Sequence, residues 1–384
     1  MIHLHRYASR ASRTTFNKSW PGPVAAPVFG PGAARTAASE NCRSVHSQAA
    51  PVAPYKRLSP QRRRIPAVST IQTIGADRAS FVTQSKTPTL EPVVHDVFEP
   101  NTGTWQYIVA DPLSRKAAII DPVLDYDPAT QRITTRAADS LLSLIKDEGL
   151  TIDWILETHV HADHLTASSY IQAHLAQIQG QKPPIGIGKR IVQVQNLFGQ
   201  RYGISANEYS HVFDKLFDDD EAFSIGRVQA SAIHLPGHTP DHLGYKIGDN
   251  VFCGDSIFNT DVGTARCDFP GGSALDLWSS TRKLLSLPGH VKIWTGHDYP
   301  PSSRGNPVPY MTVKDHKLEN KHIRDSIAQD EFLALRMERD RQLGEPRLLH
   351  QSLQINIRAG RLPKPTEAGQ RLLHLPLKLS GVKW

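Results

Sequence analysis

Residues 152–164 read IDWILETHVHADH, an apolar strand that runs directly into three histidines and an aspartate. No other stretch narrows the fold so far. His159 and His161 stand two apart and share one side where the strand ends, while Asp163 and His164 turn toward an adjacent position. Imidazole and carboxylate in one cluster suit Zn²⁺, Fe²⁺ or Mn²⁺ better than soft copper or hard calcium. Further candidates stand where other apolar runs end: His238 in LPGHTPDH, Asp255 in FCGDS and His297 in TGHDY. Taken singly, each suits a cap or a surface hydrogen bond. Together with ETHVHADH they form a donor set carried by loops on a rigid scaffold. His234 and His242 flank one of these loops without motif support and are expected to be structural or to back the donors.

The surrounding pattern fits a strand-and-helix scaffold. WQYIVADPLSRKAAIIDP (105–122) holds two short apolar runs about a turn, which predicts a β-hairpin. Ala138, Leu141, Leu142 and Ile145 recur at helical spacing, with Thr135 as cap and Gly149 as stop, so a helix is expected over 136–148. Ile191, Val194 and Phe198 predict another helix ending at Gly199. Strands are expected near 228–234, 243–247 and 250–254, then a helix from Ser273 to Leu287 opened by an S-x-x-D cap, and a strand at 291–295. Residues 311–343 carry a long charged helical pattern ended by Gly344 and Pro346. The alternation predicts a layered α/β domain over about 91–310, with 311–384 as a helical extension packed on it.

Charge divides the chain differently. Residues 1–64 hold eleven Lys/Arg against one acid, Glu40, while the rest holds 33 basic and 36 acidic residues. The body is mildly acidic despite the overall +7, which argues against nucleic acid as a partner. The first 39 residues contain no acid, and Arg6, Arg10 and Arg13 recur at helical spacing, a composition that suits a mitochondrial presequence or a basic tail. Residues 1–90 are therefore expected to be presequence and linker, with the mitochondrial matrix as destination, or the cytoplasm if the segment is not a transit peptide. No apolar run reaches the roughly 18 residues of a membrane span. Cys42, Cys253 and Cys267 form no C-x-x-C pair, so neither a disulfide framework nor a Cys-rich zinc site is expected. Cys253, inside VFCGD, reads as a packed core thiol.

HVHADH, PGH, GD and a later strand-end histidine, in that order, resemble the metallo-β-lactamase fold superfamily. The resemblance implies a four-layer αββα sandwich with a metal site at one sheet edge. ETHVHADHLTAS, PIGIGKRIVQVQNLFG, HLPGHTPDHLGY, GTARCDFPGG, GHDY and the tail QINIRAGRLPKP look like its persulfide dioxygenase (sulfur dioxygenase) branch. That branch implies one Fe(II) per chain held by His159, His238 and Asp255, with Zn(II) the alternative metal. His161, Asp163, His164 and His297 then stand around the iron or serve as further ligands. The implied catalytic residues are Asp163, His297 and Tyr299, the last as a hydrogen-bond donor to bound oxygen or sulfur. Arg266 and Asp268 match residues near the substrate; Arg266 either neutralises an anion or pairs with Asp268. The implied substrates are glutathione persulfide and O₂, the products glutathione and sulfite, and a homodimer is left open.

A glyoxalase II-like hydrolase competes with this reading, because the seven donors could also hold two metals bridging a hydroxide. Metal identity and O₂ use separate the two; the thiol carrier does not.

Overall fold

The computed structural model describes residues 90–381, and the expected presequence and linker, with Arg6, Arg10, Arg13 and Cys42, lies outside the described residues. The first half of the described chain runs β1 (Val93–Glu99), β2 (Thr104–Ala110), β3 (Lys116–Ile120), β4 (Val123–Asp127), β5 (Arg132–Thr134), α1 (Arg136–Asp147), β6 (Thr151–Leu156), β7 (Leu165–Thr166), α2 (Ser168–Gln179), β8 (Ile185–Gly188), α3 (Ile191–Tyr202) and β9 (Lys215–Phe217). The second half runs β10 (Ala222–Ile225), β11 (Val228–His234), β12 (Leu243–Ile247), β13 (Asn250–Phe252), α4 (Ala274–Leu285), β14 (Lys292–Trp294), β15 (Tyr310–Thr312), α5 (Val313–Glu319), α6 (Gln329–Gln342) and α7 (Leu349–Asn356).

Each half builds one six-stranded sheet, in the orders β1-β2-β3-β6-β8-β9 and β10-β11-β12-β13-β14-β15. Strand periodicity sorts the side chains into layers. Tyr107, Val109, Ala118 and Ile120 face Ala230, Ala232, Tyr245 and Phe252 of the opposite sheet. Their neighbours Ile108, Ala110, Ala117 and Ile119 point outward, under Leu141 of α1, Ile171 of α2, Phe198 of α3 and Leu353 of α7. On the far side, Ile233, Val251 and Ile293 pack beneath Leu277 and Leu284 of α4, Val313 of α5 and Phe332 of α6. Three apolar cores between four layers make the expected αββα sandwich.

Several elements differ from the sequence expectation. α3 runs through Gly199 to a left-handed stop at Gly203; Gly199 lies inside because the Tyr209 ring packs where a Cβ would be, 2.4 Å from its Cε1. The charged pattern over 311–343 is not one helix. Tyr310–Thr312 joins the second sheet, Thr312 and Asp315 form a capping box, and α5 stops at Asn320. That side chain is buried and donates to Phe258 O and Gly263 O, so its polar groups hold the 258–263 loop. Residues 361–381 carry no helix or strand. Thr135 sits at the start of α1, but its hydroxyl donates to Asp139 Oδ2 at 2.7 Å and not to the backbone. Cys253 and Cys267 are buried free thiols, both pushed up to about 12 by burial, and so inert. No helix among the described residues is long and apolar enough to cross a membrane.

Two buried histidines on this second side give a pH prediction. Burial lowers His316 to about 4 and, with Arg336 adding repulsion, His322 to about 3. His322 Nδ1 accepts the Thr264 N–H at 3.0 Å, a bond that only the unprotonated nitrogen makes. An unfolded histidine titrates near 6.5, so below that pH the unfolded chain binds protons that the folded chain refuses. Stability of the metal-free protein should fall from about pH 6.5 toward pH 4, read as melting temperature, and His322→Gln should flatten part of the slope. A melting temperature constant from pH 7 to 5 would contradict this.

Candidate metal centre

All seven expected donors meet at one edge of the sandwich, in the seam between the sheets. The chain leaves the first sheet just after β6, and the loop that follows is pinned by buried carboxylates. Asp121 accepts Thr158 N–H and Oγ1–H at 2.7 and 2.8 Å, and Asp241 Oδ2 accepts Val160 N–H at 3.1 Å. His159 and His161 are thereby both buried, with ring centroids 4.1 Å apart. From the second sheet come His238 after β11, Asp255 after β13 and His297 after β14, the last held at the sheet edge by a bridge to Thr104.

The donors fall into two groups, within each of which the ligand atoms lie within 4.8 Å of one another: His159, His238 and Asp255, and His161, Asp163, His164 and His297. Asp255 joins them. Its Oδ2 lies 4.0 Å from His159 Nε2 and 3.7 Å from His238 Nε2, and its Oδ1 lies 3.6 Å from His297 Nε2. Gly296 permits this placement, since a Cβ there would sit 2.5 Å from Asp255 Oδ1.

Hydrogen bonds decide which imidazole nitrogens are free. A carbonyl only accepts, so His238 Nδ1 must donate to Arg266 O (2.8 Å) and His164 Nδ1 to Leu165 O (3.2 Å). Both Nε2 lone pairs are left facing the cluster. The Nε2 atoms of His159 and His164, His161 Nδ1 and Asp255 Oδ1 are buried without a hydrogen-bond partner among the described residues. So many unpaired buried donors are costly as they stand and fit a metal ion that takes them as ligands.

The electrostatics differ across the cluster. Burial and the surrounding imidazoles hold His159 well below the usual histidine range, and burial with the nearby His161 brings His164 down to about 3. Both are neutral, as a ligand must be. Burial would also lower His297, but Asp255 and Asp163, the latter 3.0 Å from Nε2, raise it to about 9. His161 is likewise raised against its burial, by Asp121 at 3.2 Å and Glu157 at 3.5 Å from Nε2. Burial raises Asp255 above the usual carboxylate range. A cation in the cluster would reverse these balances.

Tyr299 stacks on His297, with centroids 5.7 Å apart and planes 9° off parallel, and is 52% exposed. Its ring, with Phe258, Arg266, Arg336 and Arg339, lines a cavity of about 290 Å³ that opens on Asp163, His238 and Asp255. Arg266 is paired with Asp268 through its guanidinium, while its carbonyl orients His238. Asp268 does not line the cavity and reaches it only through Arg266. His242 stacks on His159 at 4.6 Å and its Nε2 accepts the Asp255 N–H at 3.0 Å, so it backs both donors. His234 lies apart, 3.8 Å from Asp219. Sequence reasoning missed Asp121 and the cavity arginines of α6, which lie outside the donor motifs, and gave no role to Glu157 and Asp241, which lie inside ETHVHADH and LPGHTPDH.

The profile of the metallo-beta-lactamase superfamily matches residues 101–297. The chain belongs to the metallo-beta-lactamase superfamily. Glyoxylase B2 of Dictyostelium discoideum is 44% identical over 282 residues, covering 73% of this chain and 94% of that protein. The mitochondrial persulfide dioxygenase ETHE1 of Bos taurus is 27% identical over 290 residues, covering 75% and 95%. The crystal structure of ETHE1 from Myxococcus xanthus matches with a TM-score of 0.54 at 25% identity, covering 70% of this chain and 100% of that one. Superfamily membership and the buried His/Asp cluster together make the chain a metal-binding enzyme.

Proposed function

We propose that the chain is an Fe(II)-dependent persulfide dioxygenase that converts glutathione persulfide, O₂ and water to glutathione and sulfite. The observation that carries the reading is the three-donor set His159, His238 and Asp255, two imidazoles and one carboxylate, opening on a cavity lined by three arginines. His159, His238 and Asp255 would hold the iron, which would supply redox chemistry toward O₂ and a Lewis acid for the persulfide sulfur. The atoms balance: the outer sulfur gains three oxygens, two from O₂ and one from water, and the S–S bond breaks to leave the thiol. That sulfur loses four electrons, which reduce O₂.

The chain's own residues bind and orient. Arg339 favours an anionic carrier, Phe258 and the Tyr299 ring flank the reacting sulfur, and Arg266 holds His238 in its ligating tautomer through its carbonyl. The reading extends to residence in the mitochondrial matrix, supported by the acid-free, Arg-containing first 39 residues.

Asp255 favours a second reading. One of its oxygens faces each donor group, as a carboxylate bridging two metals would, and Glyoxylase B2 is the more similar relative at 44% identity. Purification without oxygen, metal analysis, and O₂ uptake with glutathione persulfide separate the two. One iron per chain and one O₂ consumed per persulfide are expected. Two metals per chain, one of them lost in His164→Ala, with thioester hydrolysis and no O₂ uptake, would transfer the assignment to the hydrolase.

A further inference from the structure

Asn356 ends α7, some 190 residues beyond the metal loop in sequence, yet every polar group of its side chain is used on that loop. Its Nδ2 donates to His161 O and to His164 O, both at 2.8 Å, and its Oδ1 accepts Thr166 N–H at 2.9 Å. The side chain is buried, and neither histidine carbonyl accepts a backbone hydrogen bond among the described residues. Without Asn356 two buried carbonyls would lack their donor, which a folded chain rarely tolerates.

The geometry does more than satisfy these groups. One amide with two hydrogens spans two carbonyls three residues apart, so it sets the turn that carries Asp163 and brings the His161 and His164 rings within 4.2 Å of each other. The amide is itself held firmly. Leu353, Ile355 and Ile357 are packed in the core beneath the first sheet, Gln195 of α3 donates to Ile357 O at 2.9 Å, and Gly360, at φ +82°, comes so close to Thr166 O that a Cβ would lie 2.8 Å away.

We propose that Asn356 is a positioning residue of the metal centre. From a segment outside the superfamily match at 101–297, it holds the His161–His164 turn in its ligating shape. The inference rests on the cluster being a metal site, and not on which reaction that site performs.

Co(II) alone, titrated into the purified metal-free chain and read by its visible absorption, tests this without turnover. Asn356→Asp keeps the shape, loses both donors and sets a carboxylate against two carbonyls. It should bind Co(II) about 10–100-fold more weakly, the scale for loss of a partner behind the ligands, with an altered spectrum. Ile145→Ala, which opens a cavity under α1 in the same core but outside α7 and the metal loop, should lower the melting temperature and leave Co(II) affinity and spectrum unchanged. If Asn356→Asp does not fold, Asn356→Ser takes its place under the same criterion. Wild-type Co(II) affinity and spectrum in a folded Asn356 variant would overturn the proposal. A wild-type chain that binds no Co(II) would instead remove the metal-site reading beneath it.

Discussion

Asp255→Ala should lose the metal and keep the fold. Asp255 is the carboxylate of the three-donor set and the link to His297, so its removal should weaken metal binding by more than the roughly 100-fold typical of an outer partner, and end turnover with it. Stability of the metal-free chain should move the other way. Burial raises this carboxyl above its usual range, so its charged form destabilises the empty fold, and alanine removes that burden. Equilibrium dialysis with iron and a thermal melt of the metal-free protein check both halves. A variant that retains iron, or whose metal-free form unfolds at room temperature, would contradict the assignment.

Gly237→Ala should do the reverse, striking the fold first. Gly237 precedes His238 at φ +139°, a region open in practice only to glycine, and a Cβ there would lie 2.3 Å from Leu277 N and 2.4 Å from Leu277 Cα. These are backbone atoms of α4, which cannot swing aside as a side chain tip can. Strain at such a φ costs about 1–3 kcal/mol, and displacement of the helix adds to it, so a loss of at least about 3 kcal/mol in urea unfolding is expected. His238 moves with its neighbour, so metal affinity should fall as well. A loss under about 1 kcal/mol would show that α4 yields more easily than its packing indicates.

The contrast between these residues explains what could be read in advance. The donors were legible because each closes an apolar run, and a run followed by His or Asp is a local pattern. Asp121 and Asn356 were not, since their roles come from contacts with residues 37 and some 190 positions away, whereas His242 was expected to be structural or to back the donors and does back them. The main strands announced themselves as short apolar runs, and α4 by its S-x-x-D start, where Ser273 Oγ does accept Asp276 N–H at 3.2 Å. The β4–β5 hairpin, the two-residue β7 and α2 were missed because they are short or weakly patterned. Over 311–343 the charge pattern suggested one unbroken helix, yet the break at Asn320 is made by hydrogen bonds to the 258–263 loop, which helix periodicity does not encode.

The division of the chain into two successive sheets bears on how the enzyme assembles. The first sheet brings His159, His161, Asp163 and His164, the second His238, Asp255 and His297, and both donor groups draw on both sides. Neither half alone holds a complete set. By thermodynamic reciprocity, an ion that binds the joined halves more tightly than either half must raise their affinity for each other by the same factor. The ion thus acts as a rivet across the seam, and its retention reports whether the two sheets have closed. Substitutions far from the centre that let the sheets slide apart should then surface first as lost metal, before any loss of secondary structure.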